Sequence, residues 1–405
     1  MINNNEIKVI YVERKADLFG SCLSLLSMLE YLTKKGINPL VIVIEEGDLT
    51  EKLEERGIPY KIIKYYFNIW PRVKFLPDYL WFVPKIVVYQ FCNILSLLKL
   101  RKIAKDFKAD IIHTNIGPSH IGYSVAKSMR ILHFWHLREY QDLDFGWKLY
   151  PSKYHFVKKL KSYANYNIPI SKNIAKHFSL TGINYQIIPD GIFSKTETTI
   201  DFCKDKYFLF VGRIADFKGI KNILWAFSKF CENNTKYKLI IVGKIGSEEY
   251  KKELILCAKN EFSLGLIEFV GYKKDVKPLM RKATALIVAS KMEGLGRVTI
   301  EAMFCGCLVV GKNIGGTKEI LGEKQLGLLY NNDCELVTIL QSLANTNLDS
   351  YKDRIKKAQK EAILLYSIEE SGEKILNYYK QVIHCHKLPQ KAPINAPDLE
   401  YEKKL

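Results

Sequence analysis

The chain has 405 residues, of which 48% are apolar and 26% charged. This balance excludes a mostly disordered protein, and the length favours two domains over one. The 61 Lys and Arg residues against 43 Asp and Glu residues give a net charge of +18. The excess predicts an anionic partner, and composition alone leaves a membrane surface, nucleic acid and phosphorylated ligands all open.

Short strand-like runs alternate with helical patterns in the first half of the chain. Residues 7–12 read IKVIYV, which is typical of a buried strand, and residues 21–35 carry Leu and Met at helical spacing. Further strand candidates lie at 39–45, 109–115, 131–136, 166–171 and 185–189. The last of them ends at Asp190-Gly191, a turn signal, and a polar stretch extends from there to about Lys206.

The alternation restarts after this break, with strand candidates at 207–212, 237–243, 267–271, 283–290 and 307–311. Strands alternating with helices predict parallel sheets covered on both faces, so two such series predict an α/β chain of two doubly wound domains. Ligands bind at the carboxyl ends of such strands, which predicts a cleft between facing domains. We place the first domain at 1–190, the second at 191–365, a last helix at 366–385 and a loose tail at 386–405.

The longest apolar run, Leu80–Leu100, is interrupted by Pro84, Lys85, Gln90 and Asn93. It therefore favours a helix from about Lys85 to Phe107 that packs on a sheet or lies at a membrane surface, rather than a membrane-spanning helix. Between Arg56 and Arg138 the net charge is +11 in 83 residues, interleaved with large aromatic side chains. An interface with anionic lipid and a solvated basic face over an ordinary core explain this pattern equally well.

The cysteines and the first residues predict the cellular compartment. Nine cysteines are scattered without a CxxC pair, which indicates reduced thiols in a cytosolic protein. The opening stretch MINNNEIKVIYVERK lacks the basic start and apolar core of a secretory signal. We therefore expect a cytoplasmic protein. Because no helix-turn-helix, zinc-finger or RNA-binding signature is present, we expect no nucleic-acid partner.

The most informative motif is EGLGRVTIEAM, which begins at Glu293 after a strand candidate. Gly294 and Gly296 let backbone N–H groups approach a ligand closely, and a helix beginning near Arg297 points its positive end at the same place. This combination predicts a phosphate site. Glu301 lies about one turn into the helix, where its carboxylate can accept hydrogen bonds from a diol such as ribose. Glu293, before the helix, can reach a sugar hydroxyl.

A second cationic element follows the first strand candidate of the second domain. In the stretch VGRIADFKG, Arg213 and Lys218 flank a loop that precedes a helix. An Arg and a Lys near one helix N-terminus are well suited to a diphosphate. Each alone is readily explained as a solvated loop charge. Their occurrence together with the glutamate motif favours a binding site.

These motifs resemble those of the retaining glycosyltransferases of family 4, which have the GT-B fold of two facing Rossmann-like domains. The resemblance rests on markers in the expected order over about 207–321: Glu293-x7-Glu301, Gly212-Arg213 with Lys218-Gly219, Val242-Gly243, Val270-Gly271-Tyr272 and Gly315-Gly316-Thr317-Lys318-Glu319. The first half of the chain resembles the family only by its pattern. The resemblance implies that the last helix crosses back onto the first domain and that the cleft closes around the donor.

The resemblance also implies what individual residues do with a nucleotide diphosphate sugar. Arg213 and Lys218 would bind the donor diphosphate and stabilise the leaving group, Glu301 would bind the ribose, and Glu293 would contact the donor sugar. Further donor contacts are expected at Gly243, Tyr272, Gly294, Leu295 and Gly296, with Tyr272 bordering the base.

On the first-domain side the resemblance points to a cleft histidine near the donor sugar, at the position of His136. His133, three residues earlier, is its rival, and a structural role would also explain either residue. Arg138 would help the acceptor or pair with a neighbouring acid. Where the family carries paired glycines in its first loop, this chain has Gly20 followed by Ser21, so the acceptor-side contact there rests on one glycine.

We therefore expect transfer with retention from a nucleotide diphosphate sugar, a UDP-sugar before a GDP-sugar. The leaving diphosphate would help to deprotonate the acceptor, and positive groups would replace a metal ion, so no metal and no cofactor is expected. The basic, aromatic first domain suggests an acceptor held at the membrane, such as a lipid-linked glycan or another precursor of capsule or lipopolysaccharide. It also suggests a peripheral position at the inner face of the cytoplasmic membrane.

Two rival functions remain at this point. A glycoside hydrolase could use Glu293 and Glu301 as its carboxylate pair, but it has no need of an Arg-Lys phosphate site. A basic lipid- or nucleic-acid-binding protein on a degenerate scaffold is consistent with the +18 charge. Turnover of a nucleotide sugar distinguishes the transferase from both.

Overall fold

The computed structural model describes residues 6–387 except positions 15, 19, 74 and 183. Its described part contains two six-stranded sheets, each with all strands parallel, one built from each half of the chain. The region predicted as a loose tail lies almost wholly outside the described residues and stays a prediction. Helices connect successive strands because parallel neighbours can be joined only by long crossovers.

The first sheet has the strand order β3-β2-β1-β4-β5-β6. Its strands are β1 (Ile7–Val12), β2 (Ile37–Val43), β3 (Tyr60–Ile62), β4 (Ile111–Thr114), β5 (Leu132–Leu137) and β6 (Asn165–Pro169). Its helices are α1 (Ser21–Thr33), α2 (Asp48–Glu55), α3 (Leu76–Leu80), α4 (Phe82–Phe107), α5 (Ile121–Met129), α6 (Asp142–Phe145), α7 (Lys153–Leu160) and α8 (Lys172–His177). The central strands are buried on both faces, which explains their nearly continuous apolar sequences.

The second sheet has the strand order β12-β11-β10-β7-β8-β9. Its strands are β7 (Tyr207–Val211), β8 (Lys238–Val242), β9 (Ile267–Gly271), β10 (Ala285–Val288), β11 (Val309–Lys312) and β12 (Leu328–Tyr330). The accompanying helices are α9 (Ile220–Cys231), α10 (Glu248–Cys257), α11 (Lys259–Ser263), α12 (Lys277–Lys282), α13 (Arg297–Phe304), α14 (Gly315–Leu321), α15 (Asp333–Asn345) and α16 (Lys352–Tyr366).

The last helix, α17 (Ile368–Lys387), follows α16 directly but packs on the first domain. Leu376 and Tyr379 are buried in the same apolar cluster as β1, α1 and β2. The hydroxyl of Tyr31 on α1 donates to Glu373 at 2.7 Å, and the hydroxyl of Ser371 donates to the carbonyl of Pro189 at 2.7 Å. The chain therefore crosses between the domains twice.

Most predicted strands are present, and the differences are local. The short edge strands β3 and β12 are absent from the sequence-based prediction because three residues are too few to show a period. The expected strand at 185–189 is reduced to a single bridge between Tyr185 and Asn167. The helix predicted from Lys85 begins at Phe82 and ends at Phe107 as expected.

Candidate active site

A cleft of about 560 Å³ lies between the two domains, at the carboxyl ends of their strands. The first domain contributes the start of α1, the loop after β5 and α6. The second contributes the loop after β7, at residues 211–218, and the loop after β10 with the start of α13, at residues 291–298 and Glu301. Both cationic and glutamate motifs of the sequence therefore face one cavity.

The loop before α13 holds Glu293 in a fixed position. Glu293 Oε1 accepts hydrogen bonds from Lys218 Nζ at 2.7 Å and from Ser290 Oγ at 2.6 Å. The amide of Gly316 donates to the carbonyl of Glu293 at 2.9 Å, which ties the loop to the start of α14. Only 9% of the Glu293 side chain is exposed, so the ion pair with Lys218 is partly shielded from water.

The start of α13 is open to a ligand. Gly296 precedes the helix in the left-handed conformation, and no side chain caps the helix. The first N–H groups of a helix have no partner within it, so those of α13 can bind an anion. Arg213 adds an exposed guanidinium to the same cleft and has no hydrogen-bond or ion-pair partner among the described residues.

The two domains touch at the cleft. A methyl group added at Gly294 would lie 2.8 Å from the carbonyl oxygen of Arg138 in the other domain. Arg297 Nη1 donates to Ser24 Oγ on α1 at 2.6 Å. Away from the cleft, Glu319 on α14 accepts from the amides of Lys172 and Asn173 at the start of α8, at 2.8 and 3.2 Å. These contacts hold the domains close together.

Replacement of Gly294 by alanine is expected to lower turnover by about 10²-fold, because displacement of reacting groups by about 1 Å costs that much. The added methyl group must push the Glu293 loop away from Arg138. The melting temperature should change little, since neither domain core is touched. Gly246→Ala is the matched control, because a methyl group there meets nothing within 4 Å. Equal turnover of both variants would contradict this close approach.

A buried polar network supports the first-domain wall. Arg138 Nε donates to Asp190 Oδ1 at 3.0 Å and Oδ2 at 3.2 Å, and its Nη1 donates to the carbonyl of Asn115 at 2.8 Å. Ser24 Oγ donates to Asp190 Oδ2 at 2.8 Å while it accepts from Arg297. The network thus links β4, β5, α1 and the domain junction to α13 of the other domain.

Among the described residues, several that line the cleft have a buried polar atom without a hydrogen-bond partner. These atoms include Ser21 Oγ, Arg138 Nη2 and Glu293 Oε2. Buried polar groups are almost always satisfied, so a ligand in the cleft could supply the missing partners. Two donors and one carboxylate oxygen suit a ligand rich in hydroxyl groups.

Comparison with known proteins identifies the domain that carries most of these groups. Residues 199–361 match the family model of the glycosyl transferases group 1. The second domain is therefore similar to the group 1 glycosyltransferases. Glu293, Glu301, Arg213 and Lys218 all lie within the matched residues.

Similar proteins extend the likeness to the first domain. An uncharacterized protein in the cps region of Klebsiella pneumoniae is 24% identical over 74% of this chain and 83% of its own. The GalNAc-alpha-(1->4)-GalNAc-alpha-(1->3)-diNAcBac-PP-undecaprenol alpha-1,4-N-acetyl-D-galactosaminyltransferase of Campylobacter jejuni is 27% identical, over 45% of this chain and 50% of its own. The chain thus spans only half of that enzyme.

A solved structure confirms the predicted GT-B fold of the chain. Anabaena HepE in complex with UDP matches with a TM-score of 0.74 and 18% identity, over 93% of this chain and all of that chain. The likeness in fold covers both domains, although the family model covers only the second.

Three predicted site residues lie outside the cleft. His136 is buried beneath the Arg138–Asp190 pair, with Nδ1 3.2 Å from His113 Nε2 and Nε2 3.6 Å from Asp190 Oδ1. Its expected place on the cleft wall is therefore wrong in this structure. Burial, with the nearby charge of Arg138, lowers the pKa of His136 well below its usual range. His133, the rival, bonds to Asn165 and Thr114 inside the domain.

Gly243 and Tyr272 also lie beyond the residues that line the cleft. A methyl group added at Gly243 would fall 1.8 Å from the carbonyl oxygen of Gly212, so close packing between two loops accounts for this glycine. Tyr272 is 62% exposed after β9. The other predicted residues, Gly20, Ser21, Arg138, Arg213, Lys218, Glu293, Gly294, Leu295, Gly296 and Glu301, all line the cleft.

Three residues around the cleft are not predicted from the sequence. Their local patterns indicate only a turn at Asp190 and a helix start at Arg297, and nothing at Ser24. Each acts through a partner far away in sequence: Ser24 and Asp190 are 166 positions apart, and Arg297 and Ser24 are 273 apart. The one signal in the sequence for this network is Asp190 itself, an acidic residue directly after an apolar run at the domain junction.

Among the described residues, no group of three His, Cys, Asp or Glu side chains could hold a metal ion. The expectation that the reaction needs no metal stays a prediction, and a chelator tests it.

Glu301 predicts how the stability of the protein depends on pH. Burial raises the pKa of its carboxyl above the ordinary 4.5, although Arg297 and Lys277 oppose the shift. The carboxyl therefore keeps its proton to a higher pH in the folded protein than in the unfolded chain. At neutral pH the ionised carboxylate lowers the free energy of unfolding. Glu301→Gln should raise the melting temperature at pH 7, and the gain should shrink to nothing as the pH falls below 4.5.

Thermal unfolding at several pH values, with Glu253→Gln as the exposed control, measures this effect. A gain that is constant with pH would contradict the assigned ionisation.

Proposed function

We propose that the chain is a retaining glycosyltransferase of the hexosyltransferase type. It would move a sugar from a nucleotide diphosphate sugar, a UDP-sugar first and a GDP-sugar next, to a lipid-linked glycan or another precursor of a surface polysaccharide. The observation that carries the proposal is the unpaired Arg213 beside Lys218 and the uncapped start of α13, with Glu301 one turn inside the helix. Diphosphate, sugar and ribose each have a partner there.

The chemistry follows from where charge develops. When the bond between the anomeric carbon and the diphosphate breaks, negative charge grows on the departing phosphate oxygen. Arg213, Lys218 and the α13 amides stabilise that charge without reorganising, and such preorganised groups usually make the largest catalytic contribution. The acceptor hydroxyl attacks the same face of the sugar, and its proton passes to the departing phosphate oxygen. No protein nucleophile is required.

The glutamate of the cleft has a positioning and binding function in this proposal. Glu293 Oε1 is held by Lys218 and Ser290, which leaves the buried Oε2 for a hydroxyl of the donor sugar. Ser21 and Arg138, whose Oγ and Nη2 atoms have no hydrogen-bond partner, line the same cavity from the first domain, on the side where the acceptor would enter.

Two relatives support the choice of substrates. The name of the Campylobacter jejuni enzyme describes a PP-undecaprenol-linked glycan, and the HepE structure holds UDP. We extend both to this chain as part of the proposal, with UDP as the first nucleotide to test.

Thermal stabilisation by UDP, GDP, ADP and CMP tests the donor site. A ligand that binds only the folded protein stabilises it by about 2.7 kcal/mol at 100 times its dissociation constant. We expect one nucleoside diphosphate, UDP first, to raise the melting temperature of the wild type and of Glu253→Gln but not of Glu301→Gln. No shift with any nucleotide would contradict the proposal and favour the degenerate scaffold.

The anomeric configuration of the product tests retention. Nuclear magnetic resonance of the product made from an α-linked UDP-sugar should show an α-linkage. Release of free sugar without nucleotide would instead indicate the hydrolase that uses Glu293 and Glu301.

A further inference from the structure

A large apolar surface is exposed on the first domain. Between Phe75 and Leu98, on α3 and α4, apolar side chains point into solvent with exposed fractions such as 81% for Leu76, 61% for Trp81 and 60% for Phe91. Surfaces of this size on a soluble domain mark contacts with a protein or a membrane. We call these side chains the α4 apolar surface.

The opposite side of α4 is fixed to the domain. Asn93 bonds to the backbone of Tyr66, and Ser96 Oγ donates to the carbonyl of Lys64. Leu100 and Ala104 are buried in the cluster that also holds β1 and α5. By length and composition α4 could cross a membrane, but it cannot do so while these contacts hold it along its length. It can meet a bilayer only with its outward side.

The outward side of α4 changes from apolar to cationic along the helix axis. It is apolar from Val83 to Leu98 and then carries exposed cations at Lys99, Arg101, Lys102 and Lys105. An apolar end followed by a cationic end suits a helix that enters the bilayer at a tilt, with its cations at the level of the headgroups.

A cationic surface lies beside it, because α4, α5 and α7 cover the same face of the first sheet. Two adjoining grooves of about 520 and 610 Å³ between α5 and α7 share Lys127 and have no Asp or Glu in their walls. Tyr154 and Tyr163 are 72% and 75% exposed at these grooves. From residue 145 to residue 189 the sequence has no acidic residue. Tyrosine and lysine together are typical of the interface between headgroups and water.

We propose that this face docks on an anionic phospholipid bilayer. The α4 apolar surface inserts among the acyl chains, and Lys127, Arg130, Lys158 and Lys161 contact the phosphate headgroups. A second copy of the chain is a poorer occupant, because the same cations would meet each other across a symmetric interface. An anionic bilayer can pair with the cations and bury the α4 apolar surface at the same time.

This face lies close to the cleft, so docking would bring the cleft near an acceptor held in the membrane. This step rests on the proposed function. Phe82 at the start of α4 stacks on Trp70, and Arg72 donates a hydrogen bond to the carbonyl of Phe145. Phe145 and its neighbour Leu143, which is 54% exposed, line the cleft. The start of the α4 apolar surface is therefore connected to the rim of the cleft, on the side where a lipid-held acceptor would enter.

Vesicle sedimentation tests the docking. Wild-type protein is mixed with phosphatidylcholine vesicles with and without phosphatidylglycerol, and the bound fraction is measured. We expect at least tenfold tighter binding to the anionic vesicles. The double variant Val87→Glu/Phe91→Glu should lose binding to both, and Lys158→Glu/Lys161→Glu should lose the preference for anionic lipid. Brominated lipid should quench tryptophan fluorescence in the wild type and much less in Trp81→Phe.

Matched controls lie on the second domain. Leu256→Glu/Leu264→Glu replaces equally exposed apolar side chains there, and Lys236→Glu/Lys259→Glu makes the same change of charge. Both should bind vesicles like the wild type. Binding of Val87→Glu/Phe91→Glu at the wild-type level would overturn the proposal, as would equal binding of the wild type to both kinds of vesicle.

Two further outcomes would also overturn it. A dimer in solution that Val87→Glu/Phe91→Glu converts to a monomer, without vesicle binding, would make this face a self-interface. Resistance to extraction by alkaline carbonate would make α4 a spanning helix. Thermal shifts with UDP in the absence of vesicles separate this proposal from the proposed function, because the α4 variants should keep the shift that Glu301→Gln loses.

Discussion

Lys218→Met is expected to lower kcat by roughly 10²–10³-fold, the usual effect of removing one preorganised group that stabilises developing charge. The side chain lies in the cleft with its Nζ 2.7 Å from Glu293 Oε1, so in the proposed reaction its charge would act on the departing diphosphate as well as on the position of Glu293. Methionine keeps the apolar stem of lysine and removes only the charge. Steady-state kinetics with saturating donor measures the loss.

A double variant separates the two effects of Lys218, which are stabilisation of the diphosphate and positioning of Glu293. If the lysine acts mainly by holding Glu293, then Lys218→Met/Glu293→Gln should be about as slow as the slower single variant. If it acts on the diphosphate, the two losses should multiply. Lys221→Met, which removes an exposed cation paired with Glu253 on the same domain, is the control and should turn over like the wild type. Activity of the wild type that disappears with a chelator and returns with manganese would contradict a purely cationic leaving-group site.

Asp190→Ala should destabilise the first domain by about 3–5 kcal/mol, the cost of leaving a buried charge without its partner. The Arg138 side chain is 4% exposed, and Asp190 supplies the only carboxylate paired with it among the described residues. His136 cannot take over, because its lowered pKa keeps it neutral. Ser24 would also lose the acceptor that orients it toward Arg297.

Urea unfolding followed by tryptophan fluorescence measures this loss, since four of the five tryptophans lie in the first domain. Asp190→Asn should lose less, because the amide keeps oxygen and nitrogen atoms where the carboxylate stood. Asp216→Ala is the control, because its exposed pair with Lys291 is worth only about 0–1 kcal/mol. If Asp190→Ala loses no more free energy of unfolding than the control, the prediction is contradicted, and water or another group must solvate the Arg138 guanidinium.

The parts of the site that the sequence predicts are those that local chemistry specifies. Glu293, Gly294, Gly296 and Glu301 are close in sequence, and the strand before them and the helix after them determine where they point. Lys218 and Arg213 follow a strand end in the same way. Alternation of strand and helix likewise predicts both sheets and the edge at which the cleft forms.

The parts that the sequence does not predict depend on contacts between distant segments. His136 occupies the predicted strand end, but Arg138 and Asp190 come between it and the cavity, and no local pattern shows this. The apolar run of α4 is also ambiguous in sequence, since a core helix and a surface helix can share a composition. Only the packing of Asn93, Ser96 and Leu100 shows which side is buried.

The return of α17 to the first domain has a consequence for how the protein is made. Tyr379 and Leu376 complete the core beneath α1, and Gly372 packs against the ring of Tyr31. These residues follow the whole second domain in the sequence, so they are translated after it. The core of the half that is translated first is therefore completed only after the second domain has been made, and the face of α1 that α17 covers stays exposed on the nascent chain until then.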